Sequence, residues 1–528
     1  MTWLRQFVER LRARRVASNP ATAEVPPPAG PARAAEYRPI FEAGVAAFHA
    51  GRYEEAERHF ERCVELRGDD ADAHLNLGIS CQRLGRREDA ADSFGLALRH
   101  RPDFAEAWFN LGTLELERGA HEPAAAALQE AVRLKPDYAP ALSNLGYVQF
   151  KYLGLAEAGE ENLRGAVRAQ PGYAPARLNL GMLLQERGLP DKALSAYQEA
   201  LRREPDLAEA RLNSALIHLA RGDFARGWPL YEARKGGSTH FTPRHFPYPE
   251  WDGRKTTGTV LVYGEQGLGD EMMFASCLPD VIERAGRCVI DCTPKLERLF
   301  RRSFPTALVH GGRQDATDGA WLERAGPIDF QVAIGSLPRL FRTSRATFPA
   351  HHGYLKADEA AVERWRVRLR DLGPGSKVGI SWRGGTVYTR SRLRSIELAQ
   401  LLPLLRTPGA RFVSLQYGDC GDELARLARD HGVTVEHWPD ALADYDQTAA
   451  LVSAFDLVIS VQTAAVHLAG ALGRPVWALV PAVAEWRYME KGSDNPWYPS
   501  LRVFRQQAPF SWQATVDNVA VELARLAR

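Results

Sequence analysis

A repeat with a period of 34 residues constrains the fold of this chain more than any other feature of its sequence. Small residues recur with this period, once lengthened to 35, at Gly44, Gly78, Gly112, Gly146, Gly181 and Ala215. A second small series is Ala56, Ala90, Ala124, Gly159 and Ala193, and a large apolar series is Phe60, Phe94, Leu128, Leu163, Tyr197 and Tyr231. Prolines close successive units at Pro102, Pro136, Pro171 and Pro205. A fixed period of this length predicts stacked units that bury a continuous core together.

These units resemble the tetratricopeptide repeat over residues 37–234, in six copies. The resemblance implies pairs of helices that stack into an α-solenoid with a concave inner face. We therefore predict a solenoid domain at 36–235. Residues 236–256 hold Gly, Pro and aromatic residues without periodicity, which is typical of a connector.

Asparagine repeats with the same step, two residues before each small residue of the first series. The members are Asn76, Asn110, Asn144, Asn179 and Asn213. An asparagine amide donates and accepts hydrogen bonds, so a ladder of them can hold an extended peptide backbone. The alternative is that each amide bonds to its own neighbours. The series resembles the asparagine ladder of the O-GlcNAc transferases, which implies that these residues bind a protein acceptor.

The segment before the repeats divides into a basic helix and a linker. Residues 1–18 place apolar side chains at helical spacing among five arginines, so residues 2–17 are suited to contact an anionic membrane surface. The alternative is an arm that docks on the protein or frays. Residues 19–35 are rich in Pro and Ala, which predicts a linker.

Charge and hydropathy narrow the class of protein. Lys and Arg (67) nearly balance Asp and Glu (65), which argues against nucleic-acid binding through bulk charge. We find no apolar run long enough to span a bilayer, and no secretory signal. The six cysteines lack metal-ligand spacing, so we expect small buried apolar residues in a reducing compartment. The expected location is cytoplasmic, with peripheral contact at the inner membrane if the basic helix binds lipid.

From Thr257 onward, short apolar runs alternate with stretches of helical length, which predicts parallel βαβ units. The predicted strands are 260–263, 288–291, 330–333, 377–381, 411–415, 456–460 and 475–480. An interruption near 345–375 divides them into a half at 257–370 and a half at 371–528. Two such Rossmann-like halves facing a cleft resemble the GT-B architecture of sugar-nucleotide transferases, which implies that the half at 371–528 binds the donor.

The first chemical motif is the segment 264–270, which reads GEQGLGD directly after the opening strand. Gly267 and Gly269 let a ligand approach the backbone closely, and Asp270 places a carboxylate at the end of the strand. The alternative for Asp270 is a helix N-cap.

The second motif spans 456–475, where a buried strand ends and a helix begins near Thr463. The N–H groups of Thr463, Ala464 and Ala465 form an anion site at this helix end. His467 is placed to donate to a phosphate oxygen, with packing in the core as the alternative.

The third motif is a strand end at 379–385, which carries Arg383 and leads into Arg390, Arg392 and Arg394. Arginines at a strand end suit bidentate pairing with phosphate. A solvated charged loop is the alternative explanation.

Together the three motifs resemble glycosyltransferase family 9, the heptosyltransferase-like enzymes, and the whole chain resembles bacterial fusions of tetratricopeptide repeats to such a domain. The resemblance implies metal-independent, inverting transfer from a nucleotide sugar, with Asp270 as general base and Arg394 and the helix end on the donor diphosphate. It implies no cofactor and no metal. Asp444 and Asp446 could imitate a metal-binding pair, but their place before a helical run favours an N-cap.

The expected acceptor is Ser or Thr of a protein held by the solenoid; some fusions of this kind act on flagellin-like surface proteins. The sequence departs from the family at Gln462, where the family usually has Asp to bind the donor sugar. Two other functions remain open. One is a glycan or lipid-sugar transferase whose repeats recruit partners, and the other is a non-catalytic scaffold.

Overall fold

The computed structural model describes residues 31–236, 244, 246–312, 320–385, 393–508 and 511–526. The predicted basic helix at 1–18 and residues 19–30 of the predicted linker lie outside the described residues. The chain divides into two compact units between Leu207 and Ala208. We describe each unit by itself.

Successive pairs of contacting helices make up the described part of the first unit. Its helices are α1 (Pro31–His49), α2 (Tyr53–Leu66), α3 (Ala71–Arg83), α4 (Arg87–His100), α5 (Ala105–Glu117), α6 (His121–Leu134), α7 (Ala139–Lys151), α8 (Ala156–Ala169), α9 (Ala174–Glu186) and α10 (Pro190–Arg203). Helix α1 includes residues 31–35, which we predicted to be linker. Pro31 can start a helix because the first turn needs no N–H donor, and the alanines that follow favour helix.

The repeated glycines allow the two helices of each pair to approach closely. A Cβ atom added to Gly78 would lie 2.6 Å from the ring of Phe94, and one added to Gly112 would lie 2.7 Å from Leu128 Cγ. Gly44, Gly146 and Gly181 face Phe60, Leu163 and Tyr197 in the same way. The two sequence series are therefore partners in packing, and the predicted helical-repeat solenoid is confirmed.

A second glycine series was missed in the sequence and forms the turns inside the pairs. Its members are Gly51, Gly85, Gly119, Gly154, Gly188 and Gly222, with φ between +72° and +76°. This left-handed conformation is strained for residues with a side chain but not for glycine. The turn therefore explains why glycine recurs there with the period of the repeat.

The second unit begins with a further helix pair, α11 (Ala208–Ala220) and α12 (Phe224–Tyr231), and continues into a parallel sheet. The strands of this sheet are β1 (Thr259–Tyr263), β2 (Arg287–Asp291), β3 (Leu308–His310) and β4 (Phe330–Ala333), in the order β3-β2-β1-β4. Its helices are α13 (Leu268–Phe274), α14 (Leu278–Arg284), α15 (Glu297–Ser303), α16 (Ala320–Ala325), α17 (Leu337–Phe341) and α18 (Glu359–Arg370).

A second parallel sheet follows. Its strands are β5 (Ser376–Ser381), β6 (Ala410–Ser414), β7 (Glu436–His437), β8 (Leu457–Val461), β9 (Val476–Val480) and β10 (Leu501–Arg505), in the order β10-β9-β8-β5-β6-β7. Its helices are α19 (Leu402–Leu405), α20 (Gly421–His431), α21 (Pro439–Ala443), α22 (Tyr445–Ala454), α23 (Ala464–Ala471) and α24 (Gln513–Leu526). Every pairing between these strands is parallel.

The predicted parallel α/β content of the C-terminal half is confirmed. All seven predicted strands are present within one residue of their predicted ends, whereas β3, β7 and β10 were missed. β7 has two residues and β3 has three, too few to show a pattern. β10 reads Leu-Arg-Val-Phe-Arg, which is neither a continuous apolar run nor a strict alternation of apolar and polar residues.

The sixth helix pair packs into the core of the second unit. Trp228 on α12 is 1% exposed, and its Nε1 donates to the carbonyl of Arg342 at 2.7 Å. Its ring lies 5.7 Å from that of Trp486 and 6.1 Å from that of Trp497, edge to face. The last repeat by sequence is therefore part of the α/β unit by packing.

The six cysteines are buried and free, as predicted. Burial raises the pKa of each thiol, to about 11 for Cys63 and to about 12 for Cys288. Among the described residues, no helix has the length and apolar character needed to span a membrane.

Candidate functional site

Two of the predicted motifs meet in the second unit, where α13 lies against α23. The contact is made by Gly269, since a Cβ atom there would lie 2.9 Å from Cδ2 of His467 and 3.7 Å from Cα of Ala464. Both helices begin just after the carboxyl end of a strand, β1 in the first sheet and β8 in the second. Ligands of open parallel sheets bind at such strand ends, so this junction is the candidate site.

Asp270 lies in the first turn of α13 and is engaged on both oxygens. Its Oδ1 accepts hydrogen bonds from Nε of Arg487 at 2.8 Å and from Nη2 of the same residue. Its Oδ2 accepts from the backbone N–H of Gly267 at 3.3 Å. The predicted alternative, Asp270 as the helix N-cap, is wrong, because Gly267 is the N-cap and Asp270 bonds back to it from the third position of the helix. The ion pair with Arg487 was not revealed by the sequence.

Arg487 belongs to a chain of charges that crosses the junction. Glu485 accepts from Arg487 at 3.2 Å on one oxygen and from Arg394 at 2.6 Å on the other. Arg394 also donates to the backbone carbonyl of Gln462, next to the start of α23. Burial acts to lower the pKa of Arg487, but the carboxylates of Asp270 and Glu485 outweigh it and raise that pKa above its usual range. Two arginines thus lie beside the helix end, joined by one glutamate.

The predicted anion site at the start of α23 is only partly open. Thr463 is the N-cap, and its Oγ1 accepts from the N–H of Ala465 at 3.2 Å and contacts Ser460 Oγ at 2.9 Å. The N–H of Ala465 is therefore already used, contrary to our prediction that it would face a ligand. Ala464 is the first residue of α23.

His467 lies inside the protein. Its Nδ1 is 3.0 Å from Tyr498 Oη, and the residue is buried. Burial, assisted by the charge of Arg487, lowers the pKa of the imidazole to about 3. His467 is therefore neutral near pH 7 and packs in the core, which was the alternative to its predicted role as a phosphate ligand.

Arg383 points to a different neighbour from the one we predicted. Its Nη2 donates to the carbonyl of Asp419 at 2.7 Å, and its Nε is 3.4 Å from Glu423. The end of β5 is held by Gln416, whose Oε1 accepts from the N–H of Arg383 at 2.8 Å. Of the predicted arginines, only Arg394 is placed at α23 among the described residues, since Arg390 and Arg392 lie outside them.

The two loops that meet at the ion pair both contain strained backbone. Among the described residues, Gln266 (φ 63°) and Met489 (φ 59°) are the residues other than glycine with positive φ. Gln266 stands four residues before Asp270, and Met489 two residues after Arg487. Such conformations cost about 1–3 kcal/mol each and tend to be retained at functional sites.

Gln462 has a buried side chain whose polar atoms lack a partner among the described residues. The residue is 1% exposed, and both Oε1 and Nε2 are without a hydrogen bond. Leaving such groups unpaired costs about 1–3 kcal/mol, which calls for a ligand or water in the working protein.

A buried ion pair supports the glycine loop from the side of the sixth repeat. Arg234 follows α12 and donates through Nε and Nη2 to Oε1 of Glu265, at 2.9 and 2.7 Å. Tyr231 Oη donates to Gln266 at 2.9 Å. Nothing in the sequence placed these residues together, because they are separated by about thirty positions.

The asparagine series lies half-buried on the first helix of each pair. Asn76 and Asn110 donate to carbonyls one turn earlier, at Asp72 and Glu106, at 2.8 and 2.7 Å. The amides of the next two members, Asn144 and Asn179, donate to hydroxyls of the preceding repeat, at 3.3 and 3.0 Å. One N–H of each of these four amides is thus bonded within the first unit, as in the alternative that the amides bond to their own neighbours. Asn213 is on α11, in the second unit.

The pair Asp444 and Asp446 acts as a helix start. Asp444 caps α22 by accepting from the N–H of Asp446 at 3.0 Å, as predicted. Asp446 in turn accepts from Nη1 and Nη2 of Arg302 at 2.9 and 2.8 Å.

Comparison with known proteins supports the repeats. Models of the tetratricopeptide repeat match residues 40–103, 82–139 and 178–236. The protein therefore contains tetratricopeptide repeats in an N-terminal helical solenoid. Repeats of this class present extended surfaces for peptides or proteins, so they indicate a protein partner.

Similarity also extends to a curated relative and to solved repeat structures. Protein FlbA of Caulobacter vibrioides (strain ATCC 19089 / CIP 103742 / CB 15) is 36% identical over 326 residues, which are 58% of this chain and 54% of FlbA. The chain thus spans about half the length of this relative.

Among solved structures, MamA is 25% identical with a TM-score of 0.28, covering 32% of this chain and 92% of its own. YrrB is 22% identical with a TM-score of 0.28, covering 33% and 89%. PilF of Pseudomonas aeruginosa is 20% identical with a TM-score of 0.35, covering 39% and 95%.

Proposed function

We propose that the protein is a glycosyltransferase that moves a sugar from a nucleotide-sugar donor to a protein acceptor held by the repeats. The observation that carries this proposal is the junction of α13 and α23. There a carboxylate, two arginines and a helix N-terminus converge from the ends of strands in two parallel sheets. The resemblance of the motifs to glycosyltransferase family 9, with its GT-B architecture, supplies the reaction type.

In the proposed reaction the acceptor hydroxyl oxygen of Ser or Thr forms a bond to the anomeric carbon. The bond from that carbon to the diphosphate oxygen breaks, and its electron pair leaves with the nucleoside diphosphate. The hydroxyl proton passes to Asp270 as general base. Attack from the face opposite the leaving group inverts the anomeric configuration.

The departing diphosphate gains negative charge, and the structure offers positive charge for it. Arg394 lies beside the first turn of α23, where the helix dipole is also positive. Groups fixed in advance where charge develops lower the barrier without reorganising. These residues would act without a metal ion or other cofactor.

Gln462 is the proposed contact to the donor sugar. Its buried amide can both donate and accept, which suits sugar hydroxyl groups, and it stands where the family usually has Asp. The Gln462→Met variant should fold and bind the free nucleoside diphosphate but bind the matching nucleotide sugar about tenfold more weakly. Equal loss for both ligands would contradict a contact to the sugar.

The direct test is a thermal-shift screen of the purified protein against UDP-, GDP-, ADP- and CMP-linked sugars, with and without EDTA. A ligand that binds the native state raises the unfolding temperature. We expect a shift with one donor class that persists in EDTA. Transfer is then assayed by mass spectrometry with that donor and bacterial flagellin as the first acceptor probe, using Asp270→Ala as the inactive control.

The acceptor groove has its own test. Each of the four asparagines in the first unit uses one N–H for its bond within the solenoid and still has a carbonyl and a second N–H. Peptide binding therefore remains the proposal for the series. Replacing Asn110, Asn144 and Asn179 together by Ala should weaken acceptor binding and leave donor binding unchanged. Unaltered acceptor affinity would remove the ladder from the mechanism.

A second candidate, a non-catalytic scaffold, is favoured by the ion pair that occupies Asp270. The carboxylate of Asp270 already accepts three hydrogen bonds from the protein itself, two of them from Arg487. No donor-dependent shift and no transfer would support the scaffold.

A contribution of residues 2–17 to membrane attachment is a separate proposal, tested by binding of the full chain to anionic vesicles.

A further inference from the structure

Asp270 and the donor diphosphate both require a cation at the same junction, and Arg487 is placed to serve either. We propose that Arg487 exchanges its partner when the donor binds. Its guanidinium releases the carboxylate of Asp270 and binds the diphosphate instead, so that Asp270 becomes free to act as the base. This inference rests on the proposed glycosyl transfer, and it explains why the donor must bind before Asp270 can act as the base.

The position of Arg487 allows either contact. Its guanidinium reaches Asp270 with Nε and Nη2 and reaches Glu485 with Nη1, so all of its nitrogens are engaged. Glu485 also holds Arg394, which binds the carbonyl of Gln462 directly before α23. Only the carboxylate of Glu485 therefore stands between the guanidinium of Arg487 and Arg394, the proposed contact to the diphosphate.

Electrostatics favour the exchange once an anion is present. The side chain of Arg487 is only 15% exposed, and a guanidinium that is largely removed from water needs anionic partners to remain in place. A diphosphate supplies more negative charge than one carboxylate and matches the planar guanidinium through two oxygens. Without the donor, Asp270 is the partner, and its charge keeps Arg487 ordered at the junction.

The backbone on both sides of the ion pair is compatible with movement. Gln266 and Met489, the two residues with strained positive φ among those described, flank the two halves of the pair. Strain of this kind is retained at sites that change contacts during function. Exchange would release Asp270 from Arg487 while the N–H of Gly267 still orients it.

The exchange predicts an unusual result, a gain of affinity on removing the proposed base. Asp270 competes with the diphosphate for Arg487, so Asp270→Asn should bind pyrophosphate or the matching nucleoside diphosphate about tenfold more tightly than the wild type. Arg487→Gln should bind the same probes about tenfold more weakly. Isothermal titration calorimetry measures both, and thermal unfolding confirms that each variant is folded.

The double variant separates exchange from simple repulsion between Asp270 and the ligand. In an Arg487→Gln background, Asp270→Asn should no longer increase affinity, because the shared cation is absent. A gain of the same size in that background would show repulsion alone and overturn the exchange. Unchanged affinity of Asp270→Asn in the wild-type background would overturn it as well.

A matched control lies elsewhere in the same unit. Asp446 accepts from both Nη atoms of Arg302, so it pairs with an arginine between α22 and α15. Asp446→Asn should leave diphosphate affinity unchanged, and a tenfold gain there would overturn the exchange. If neither wild type nor Asp270→Asn binds any probe, both the proposed function and the exchange fail. Binding without the predicted pattern refutes the exchange alone.

Discussion

The packing of the sixth helix pair predicts which part of the chain Trp228 stabilises. Trp228 lies on a helix that belongs to the repeat by sequence, yet its side chain is 1% exposed within the α/β unit. Trp228→Ala removes edge-to-face contacts with Trp486 and Trp497 and leaves the carbonyl of Arg342 without its donor. Large-to-small aromatic changes in cores cost about 3–5 kcal/mol of stability. We therefore expect Trp228→Ala to lower the free energy of unfolding of the second unit by about 4 kcal/mol.

A conservative variant divides this loss into its parts. Trp228→Phe keeps most of the ring but loses the 2.7 Å hydrogen bond to Arg342, and should cost about 1–2 kcal/mol. Trp108, on α5, is the control. It too is buried, with its Nε1 donating to the carbonyl of Pro102 at 3.0 Å, but it belongs to the first unit.

The assay is native-state hydrogen exchange of the full chain, followed by mass spectrometry of peptides from β1 and β9. Core strands exchange through large-scale opening, so their exchange reports the stability of the unit. Trp228→Ala should accelerate these peptides, and Trp108→Ala should not. The reasoning is refuted if Trp228→Ala accelerates only α11 and α12, because the pair would then pack as an ordinary repeat.

Three further changes test the remaining contacts. Gly269→Ala places a Cβ atom 2.9 Å from His467 and should cost about 1–3 kcal/mol in urea denaturation, whereas no loss would mean that α13 and α23 separate freely. His467 is neutral when folded, with a pKa of about 3 against 6.5 in the unfolded chain, so protons favour the unfolded state between these values. Stability should fall by up to about 1.4 kcal/mol per pH unit as the pH drops from 6.5, and His467→Gln should flatten this dependence. In the solenoid, Gly112→Ala should cost about 1–3 kcal/mol through contact with Leu128, and Leu128→Ala in the same chain should recover part of it, as a double-mutant cycle would show.

Periodic and strand-length patterns made most of the fold predictable. The glycines and large apolar residues of the repeat indicated the helix pairs because one residue of each series packs on one of the other, as Gly78 does on Phe94. The seven predicted strands were present because buried parallel strands are continuous apolar runs. Short or amphipathic edge strands such as β3 and β10 lack that signal.

The candidate site was less predictable, since motifs identify strand ends but not the partners that tertiary packing brings to them. Asp270 was found from its place after β1, but nothing in the sequence linked it to Arg487, its partner 217 positions later. His467 shows the opposite failure. Its spacing from Thr463 suited a phosphate contact, whereas contacts with Tyr498 and Gly269 from distant segments bury it.

The contacts of the sixth pair and of the ion pair lead to one conclusion about the working unit. Tyr231 and Arg234, from the end of the last repeat, hold Gln266 and Glu265 in the glycine loop, and that loop leads to Asp270. A fragment that begins at residue 257 lacks these supports and exposes the apolar surface that Trp228 covers. It should therefore neither fold cooperatively nor bind a nucleoside diphosphate, whereas a fragment of 208–528 should do both. Equal binding by the two fragments would show that the site is built by the sheets alone.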